Sequence, residues 1–412
     1  MLRGPNPMTQ VLTRAAGFSL REFTKVVAPT GAEASRGLKP AARMASSRGV
    51  SPPVPRKRSI VEGGVAVVGV LCFVAASGRP AIAQAPPAQS SLPLPKSITP
   101  ETKEAIDRGL AYLARTQDRD GSWSNRTRFG QYPVAMTGLA GIALLMDGNT
   151  TTQGRYAAHV DRAAKYLVRS SSPSGLIARE TGESRPMYGH GFAMLFLSQL
   201  HGMVEEAARA EQMQEVLRRA VELTSRSQSA RGGWFYTPGS RSDEGSVTVT
   251  QVQALRSCRN VGVAVPKTVI DAAMAYLADS QNSDGGIRYT VSQQGGSSRP
   301  ALTPAAVCCW FNAGEYDNPH AKRALEYCKR VIDPKNTRVG HDYYMHLYLS
   351  QALYISRDAS WETYFTQRRD VLLLQQRSDG SWLGDGVGDV YGTAVALIIL
   401  QLPYNQLPIM QP

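Results

Sequence analysis

Four short stretches hold most of the side chains with which this chain could do chemistry. They are Asp243-Glu244, Met187-Tyr188-Gly189-His190-Gly191-Phe192, His341-Asp342-Tyr343-Tyr344 and Asp389-Val390-Tyr391-Gly392-Thr393-Ala394. Glycoside cleavage needs two carboxyl groups about 5 to 10 Å apart across one cleft. Asp243, Glu244, Asp342 and Asp389 are the candidates for such a pair, Asp342 and Asp389 first. Tyr188, His190, His341, Tyr343, Tyr344 and Tyr391 are the candidates for lining a cavity, because phenols and imidazoles offer an apolar ring with a polar tip. The competing expectation is structural: Asp342 and Asp389 as helix caps, His190 and His341 satisfied by backbone or capping bonds, and the tyrosines as packing. His201 and His346 read as helix-end or core histidines. Asp118-x-Asp120-Gly121 has too few ligands for a calcium loop, and the stretch from Asp385 to Asp389 lacks the strand of a dinucleotide site. Beyond residue 83 the cysteines are Cys258, Cys308, Cys309 and Cys328, with no CxxC and no histidine at zinc-finger spacing. Buried free thiols are expected there, with one disulfide as the alternative in an oxidising compartment, and neither a metal nor a cofactor is expected.

The elements that position these residues come from a repeat. Residues 105–123 read AIDRGLAYLARTQDRDGSW, with close variants ending at Trp234, Ile287 and Trp382 and weaker copies around Tyr166 and Tyr327. Aligned on Tyr112, Tyr166, Leu223, Tyr276, Tyr327 and Val371, the six copies are 44 to 57 residues apart. Each begins with apolar residues at helical spacing, such as Ile106, Leu110 and Leu113, and most end in a Gly-containing turn. Thr99-Pro100-Glu101 has the chemistry of a first helix start: a capping hydroxyl, proline in the first turn and an early acid. A second, more apolar helix is expected after each turn, over 134–146, 189–201, 247–261, 304–313, 343–356 and 391–401. Helices so broadly apolar belong inside, with the amphipathic ones around them. The reading is an all-α fold, six helical hairpins closed into an (α/α)6 toroid over residues 99–407, with 408–412 as a tail.

The Gln-x-x-x-Gly-x-Trp signature at Gln117 to Trp123, Gln228 to Trp234 and Gln376 to Trp382, eroded at Gln281 to Ile287, resembles the repeats of squalene and oxidosqualene cyclases and of protein prenyltransferase β subunits. That resemblance implies a terpenoid cyclase-like toroid in which the Gln and Trp tie outer helices together. It does not carry activity with it. The cyclases protonate an alkene with an Asp-x-Asp-Asp-Thr-Ala motif; at the matching stretch here the two adjacent acids are replaced by Tyr391 and Gly392, leaving Asp389. The prenyltransferases hold zinc with Asp, Cys and a His before Thr, but Gly392 stands at that His and no Asp-x-Cys pair occurs. The Gly-Cys-Gly-Glu-Gln motif of toroidal thioester domains is also absent.

The chain of 412 residues is 42% hydrophobic, which excludes generic disorder, and its formal charge of +13 points at first to nucleic acid. Residues 1–83, however, hold 12 Lys+Arg against 3 Asp+Glu, so most of the excess lies in a leader and no nucleic-acid partner is expected. Arg56-Lys57-Arg58, the apolar stretch 63–78 and Ala81-Ile82-Ala83 have the layout of a secretory signal peptide. The expected organisation is an extension over 1–43 (with Met44 as the start), a signal over 44–83 and a Pro/Ser-rich linker over 84–98. Cys72 falls within the leader and lacks the preceding small residue of a lipoprotein signal. The functional expectation is an exported, periplasmic or extracellular toroid that binds an apolar or amphiphilic small molecule or a protein partner, touching a membrane only if the leader stays uncleaved. The alternatives are a carbohydrate-active enzyme and a divergent terpenoid cyclase.

Overall fold

The structure, a computed structural model, describes residues 94–124, 130–292, 295–338 and 340–412. The expected extension, signal and most of the linker lie outside them. Twelve α-helices form the described chain, with isolated bridges and no strand. The odd-numbered helices are α1 (Pro100–Thr116), α3 (Ala157–Arg169), α5 (Ala207–Arg226), α7 (Lys267–Asp279), α9 (Pro319–Val331) and α11 (Trp361–Gln375). The even-numbered ones are α2 (Pro133–Met146), α4 (Pro186–His201), α6 (Gly245–Asn260), α8 (Thr303–Ala313), α10 (Asp342–Ile355) and α12 (Asp389–Gln401). Thr99 caps α1 as its sequence context requires, accepting from the Thr102 amide at 3.3 Å, with Pro100 in the first turn where its missing N–H costs nothing.

Each even helix packs on the next, and α12 packs on α2, which closes the inner ring. All fourteen residues of α2 are buried, whereas α3 buries one stripe, Val160, Ala163, Ala164, Tyr166 and Leu167, and leaves the rest toward solvent. That difference separates an inner helix with neighbours on every side from an outer one with a single covered face. The chain is thus the expected six-hairpin α/α toroid.

The repeated Gln, Gly and Trp hold neighbouring hairpins together. Gln228 Nε2 donates to Gly232 O in its own turn and to Val269 O of the next outer helix, both at 2.8 Å. Gln117 and Gln281 do the same toward His159 O and His320 O. Gln376 reaches Ala105 O at 2.8 Å, so the same bond joins the last outer helix to the first. At Gly232 φ is +94°, and a Cβ would lie 2.1 Å from Ala272 O of the adjacent helix, so only glycine fits. Trp234 is fully buried and donates Nε1–H to Thr224 O at 2.8 Å; Trp123 and Trp382 do likewise to Leu113 O and Leu372 O. The second hairpin, with Ser171 and Ile177 at these positions, and the fifth lack the Gln and Trp. At the fifth, Arg368 of α11, fully buried, donates to Asp342 of α10 at 2.6 Å and joins outer to inner helix by charge.

Beyond α12, Leu407, Ile409 and Met410 are buried, and the turn Pro408–Met410 packs on α6 and α10. The Ile409 amide donates to Gln199 Oε1 at 3.4 Å. The residues expected only as a tail therefore cover the end of the ring where the inner helices finish. The described cysteines, Cys258, Cys308, Cys309 and Cys328, are buried free thiols.

Candidate functional site

One residue in each inner helix fixes which way the rest point. Thr248 Oγ1 donates to Glu244 O one turn back and accepts the Trp234 amide at 2.9 Å, so it faces the turn from the outer helix. Thr137, Thr303 and Thr393 receive Trp123, Ile287 and Trp382 in the same way. In α4 the place is taken by His190, whose Nδ1 accepts the Ile177 amide at 3.1 Å. In α10 it is His346, bonded through Nδ1 to the Tyr364 hydroxyl of α11 at 2.7 Å. Residues two before these turn about 200° away, toward the centre of the ring. They include Tyr188, Ser246, Tyr344 and Tyr391, and Tyr348 follows on the same face of α10. Three helices thus present a tyrosine at one level, at the end where the inner helices begin.

Glu244 lies among them, with no solvent exposure. As the cap of α6 it accepts from the Val247 amide at 2.6 Å and from the Ser246 amide and hydroxyl at 3.0 and 2.7 Å. The Tyr188 hydroxyl approaches it at 3.4 Å and lies 2.5 Å from Ser246 Oγ. Burial holds this carboxyl above the ordinary range, against the lowering effect of those bonds. The rings of Tyr188 and Tyr236 sit 5.9 Å apart, Tyr236 and Tyr289 join hydroxyl to hydroxyl, and the Arg185 guanidinium lies 4.4 Å over Tyr236. Tyr344 and Tyr348 pack edge to face at 4.9 Å. Their hydroxyls are buried without a hydrogen-bond partner. A buried phenol left unpaired is costly.

The other candidates are placed elsewhere. Asp243 accepts from Thr290 Oγ1 at 3.0 Å and Ser229 Oγ at 3.3 Å, on the outer side of the mouth. Asp342 is held by Arg368, and Asp389 by Arg377 at 3.0 Å, so each carboxylate has its own cation. Neither caps its helix through its side chain; α10 is capped instead by Asp385, which accepts the Tyr343 and Tyr344 amides at 3.2 and 3.1 Å. His341 is exposed on the rim with φ of 63°. Tyr343 faces the seam with α11, its hydroxyl 3.3 Å from Gln375 Oε1. His190 is spent on the backbone: because Nδ1 accepts, Nε2 carries the hydrogen and donates to Thr224 Oγ1 at 3.0 Å. Burial drives its pKa down to about 4.

Sequence reasoning passed over Tyr236, Tyr289, Tyr348 and Glu183. Tyr236 and Tyr289 each stand two residues after the repeat's Trp234 and Ile287, a position the alignment could have flagged. Glu183 leaves no local signal; its Oε2 accepts the Arg179 amide at 2.7 Å, and burial raises its pKa to about 7.

The residues at the family's zinc position do not fit the metal. A Cβ on Gly392 would fall 2.3 Å from both Gly384 N and Trp382 O, which leaves no room for any ligand side chain. Among the described residues no three His, Cys, Asp or Glu side chains converge as a metal group.

No family model matches the chain. It is 28% identical over 200 residues, 48% of its length, to a drimenyl diphosphate synthase of Streptomyces showdoensis, and 26% identical over 224 residues, 53% of its length, to one of Streptantibioticus cattleyicolor. The matches span 34% and 39% of those curated relatives. Among solved structures, the type II terpene cyclase MstE from Scytonema, with geranylgeranyl dihydroxybenzoate, superposes with a TM-score of 0.54 at 14% identity over 74% of this chain and 98% of that one. A D-mannose isomerase (14% identity, 75% of this chain, 99% of that one) and an α-1,6-mannanase of Salegentibacter (10% identity, 74% and 98%) also score 0.54. These likenesses establish the fold alone. With the closed ring, the repeat bonds and the sequence match taken together, the chain is a divergent terpenoid cyclase-like α/α toroid, homologous to drimenyl diphosphate synthase over about half of its length.

Proposed function

We propose that this chain is an exported binding protein whose inner ring holds an apolar or amphiphilic small molecule at its tyrosine-lined mouth, without the alkene-protonating or zinc chemistry of the enzymes it resembles. The observation that carries this reading is the unpartnered hydroxyl of Tyr344, a half-buried residue at the mouth, which a ligand oxygen would satisfy. The fold and the homology to a terpenoid synthase support an apolar ligand. Loss of catalysis is supported by the acid positions. Tyr391 is a phenol whose pKa burial pushes well above its already high ordinary value, and Gly392 has no space for a side chain. Export rests on the charge and apolar pattern of residues 56–83, which places the mature N-terminus near Gln84. Solvent extraction of the purified full chain followed by mass spectrometry is the test. A stoichiometric apolar molecule supports the reading; an empty extract together with no binding of added amphiphiles overturns it. Intact mass of exported protein tests the processing.

Glu244 favours a second reading, a divergent cyclase that protonates its substrate from α6 rather than α12. The carboxyl is buried beside Tyr188 and shifted toward its neutral form. Turnover of a prenyl diphosphate or squalene by the wild type, lost in Glu244→Gln, would replace the binding reading with this one. The carbohydrate-enzyme alternative needs two uncommitted carboxyl groups across a cleft, and Asp342 and Asp389 are each bound to an arginine.

A further inference from the structure

At the end of the ring where the inner helices finish, a small pocket has Arg256, Arg259 and Asn312 as its whole polar lining. Val252, Leu255 and Arg259 stand 4, 7 and 11 residues after the outward-facing Thr248, on the same face of α6. Asn312 comes from the end of α8, and Ile270 of the outer helix α7 adds a third wall. The pocket therefore lies in a wedge between two inner helices and an outer one, apart from the lumen. The space free for the centre of an oxygen-sized atom is about 20 Å³, enough for one such atom. Asn312 is 7% exposed, and its Nδ2, which carries two hydrogens, has no hydrogen-bond partner. Other arginines are spent: Arg218 holds Glu215 and Glu222, and Arg226 donates to Ser174 O. Among the described residues the guanidinium groups of Arg256 and Arg259 have no ion-pair or hydrogen-bond partner. No acid lines the pocket, and Asp271, next after Ile270, is paired with Lys267 at 2.7 Å.

We propose that this wedge binds a phosphate group, with one oxygen buried against Asn312 Nδ2 and two more held by Arg256 and Arg259. Three donor groups around a space for one oxygen suit a tetrahedral anion with three free oxygens, whereas a carboxylate has only two. Guanidinium groups match phosphate in both charge and planar fork geometry. A cation in the last turn of α6 also complements the helix dipole. That role alone leaves the buried Asn312 amide without an acceptor, which is costly, and a phosphate oxygen removes that cost. The fourth oxygen stays outside the pocket, so inorganic phosphate and the headgroup of a phosphomonoester lipid present the same chemistry.

The test is calorimetric titration of the full chain with inorganic phosphate at low ionic strength, alongside co-sedimentation with phosphatidylcholine vesicles that hold or lack phosphatidic acid. Binding of inorganic phosphate supports the site with the free ion as its source. Binding only to vesicles that hold phosphatidic acid supports it with the lipid as source. Arg256→Gln/Arg259→Gln should weaken either interaction by about a hundredfold, about tenfold for each charged contact. Arg218→Gln/Arg219→Gln removes the same charge from α5 and should leave it unchanged, which separates a site from a general effect of net charge. Asn312→Leu removes the buried donor and fills the space, and should weaken binding about tenfold or more. Circular dichroism checks that each variant is folded. A wild type that binds neither probe, or binding that Arg256→Gln/Arg259→Gln leaves unchanged in a folded chain, overturns the proposal and leaves a pocket that holds water only.

Discussion

Gly392→Ala tests most directly whether the start of α12 has room for any side chain at position 392. The added Cβ would lie 2.3 Å from Gly384 N and 2.3 Å from Trp382 O, both backbone atoms of the turn that carries the buried Trp382. Neither can swing aside as a side-chain tip would. Gly384 is pressed as well, since a Cβ there would meet Gly392 Cα at 2.6 Å. Relief requires the turn to move by close to an ångström, straining the Trp382 amide bond to Thr393 Oγ1 at 3.0 Å and the indole bond to Leu372 O at 2.7 Å. Overpacking against backbone of this kind costs about 3 kcal/mol. With a urea slope of about 3 kcal/mol per molar, the unfolding midpoint should fall by about 1 M. Gly202→Ala is the control, because nothing lies within 4 Å of a Cβ at that helix end, and its midpoint should stay within about 0.2 M of wild type. Equal midpoints for Gly392→Ala and wild type in equilibrium urea unfolding, followed by tryptophan fluorescence, would refute the argument. The corollary is that Tyr391→Asp/Gly392→Asp should fold poorly rather than create an alkene-protonating acid.

Three further outcomes are expected. Arg368→Met should cost about 3 to 5 kcal/mol in urea unfolding because it leaves Asp342 buried and uncompensated, and Asp342→Asn added to it should recover part of that loss. Trp234→Phe should cost about 1 to 3 kcal/mol by leaving Thr224 O unbonded beside a smaller ring. His190 has a folded pKa of about 4 against 6.5 when free, so the unfolded chain takes the proton first: stability should fall as pH drops from 6.5 toward 4 and level off below it. That loss amounts to about 3 kcal/mol, and His190→Asn should remove this part of the pH slope in denaturation curves taken across the window.

Helix placement was largely legible in the sequence because its causes are local. Thr99-Pro100 starts α1 where a cap and a proline say it must, and the inner helices expected over 134–146 and 391–401 are observed as Pro133–Met146 and Asp389–Gln401. A helix face repeats every three to four residues and a cap acts within one turn, so short windows contain the whole signal. The absence of an acid at positions 391 and 392 is legible for the same reason. The site was read less well. His190, Asp342 and Asp389 were candidates for their chemistry, but each is occupied by a partner that stands 12 to 26 residues away.

What the sequence by itself determined is the repeat, the helices, the turn glycines and which residues stand at positions 389 to 394. What only the tertiary structure decided is which side chains face the lumen and what they meet there. Closing six hairpins into a ring brings Gln253 to Gln351, 98 residues on, and Gln376 to Ala105, 271 residues back. Such partners share no local signal, because their meeting depends on the crossing angles of all the helices between them.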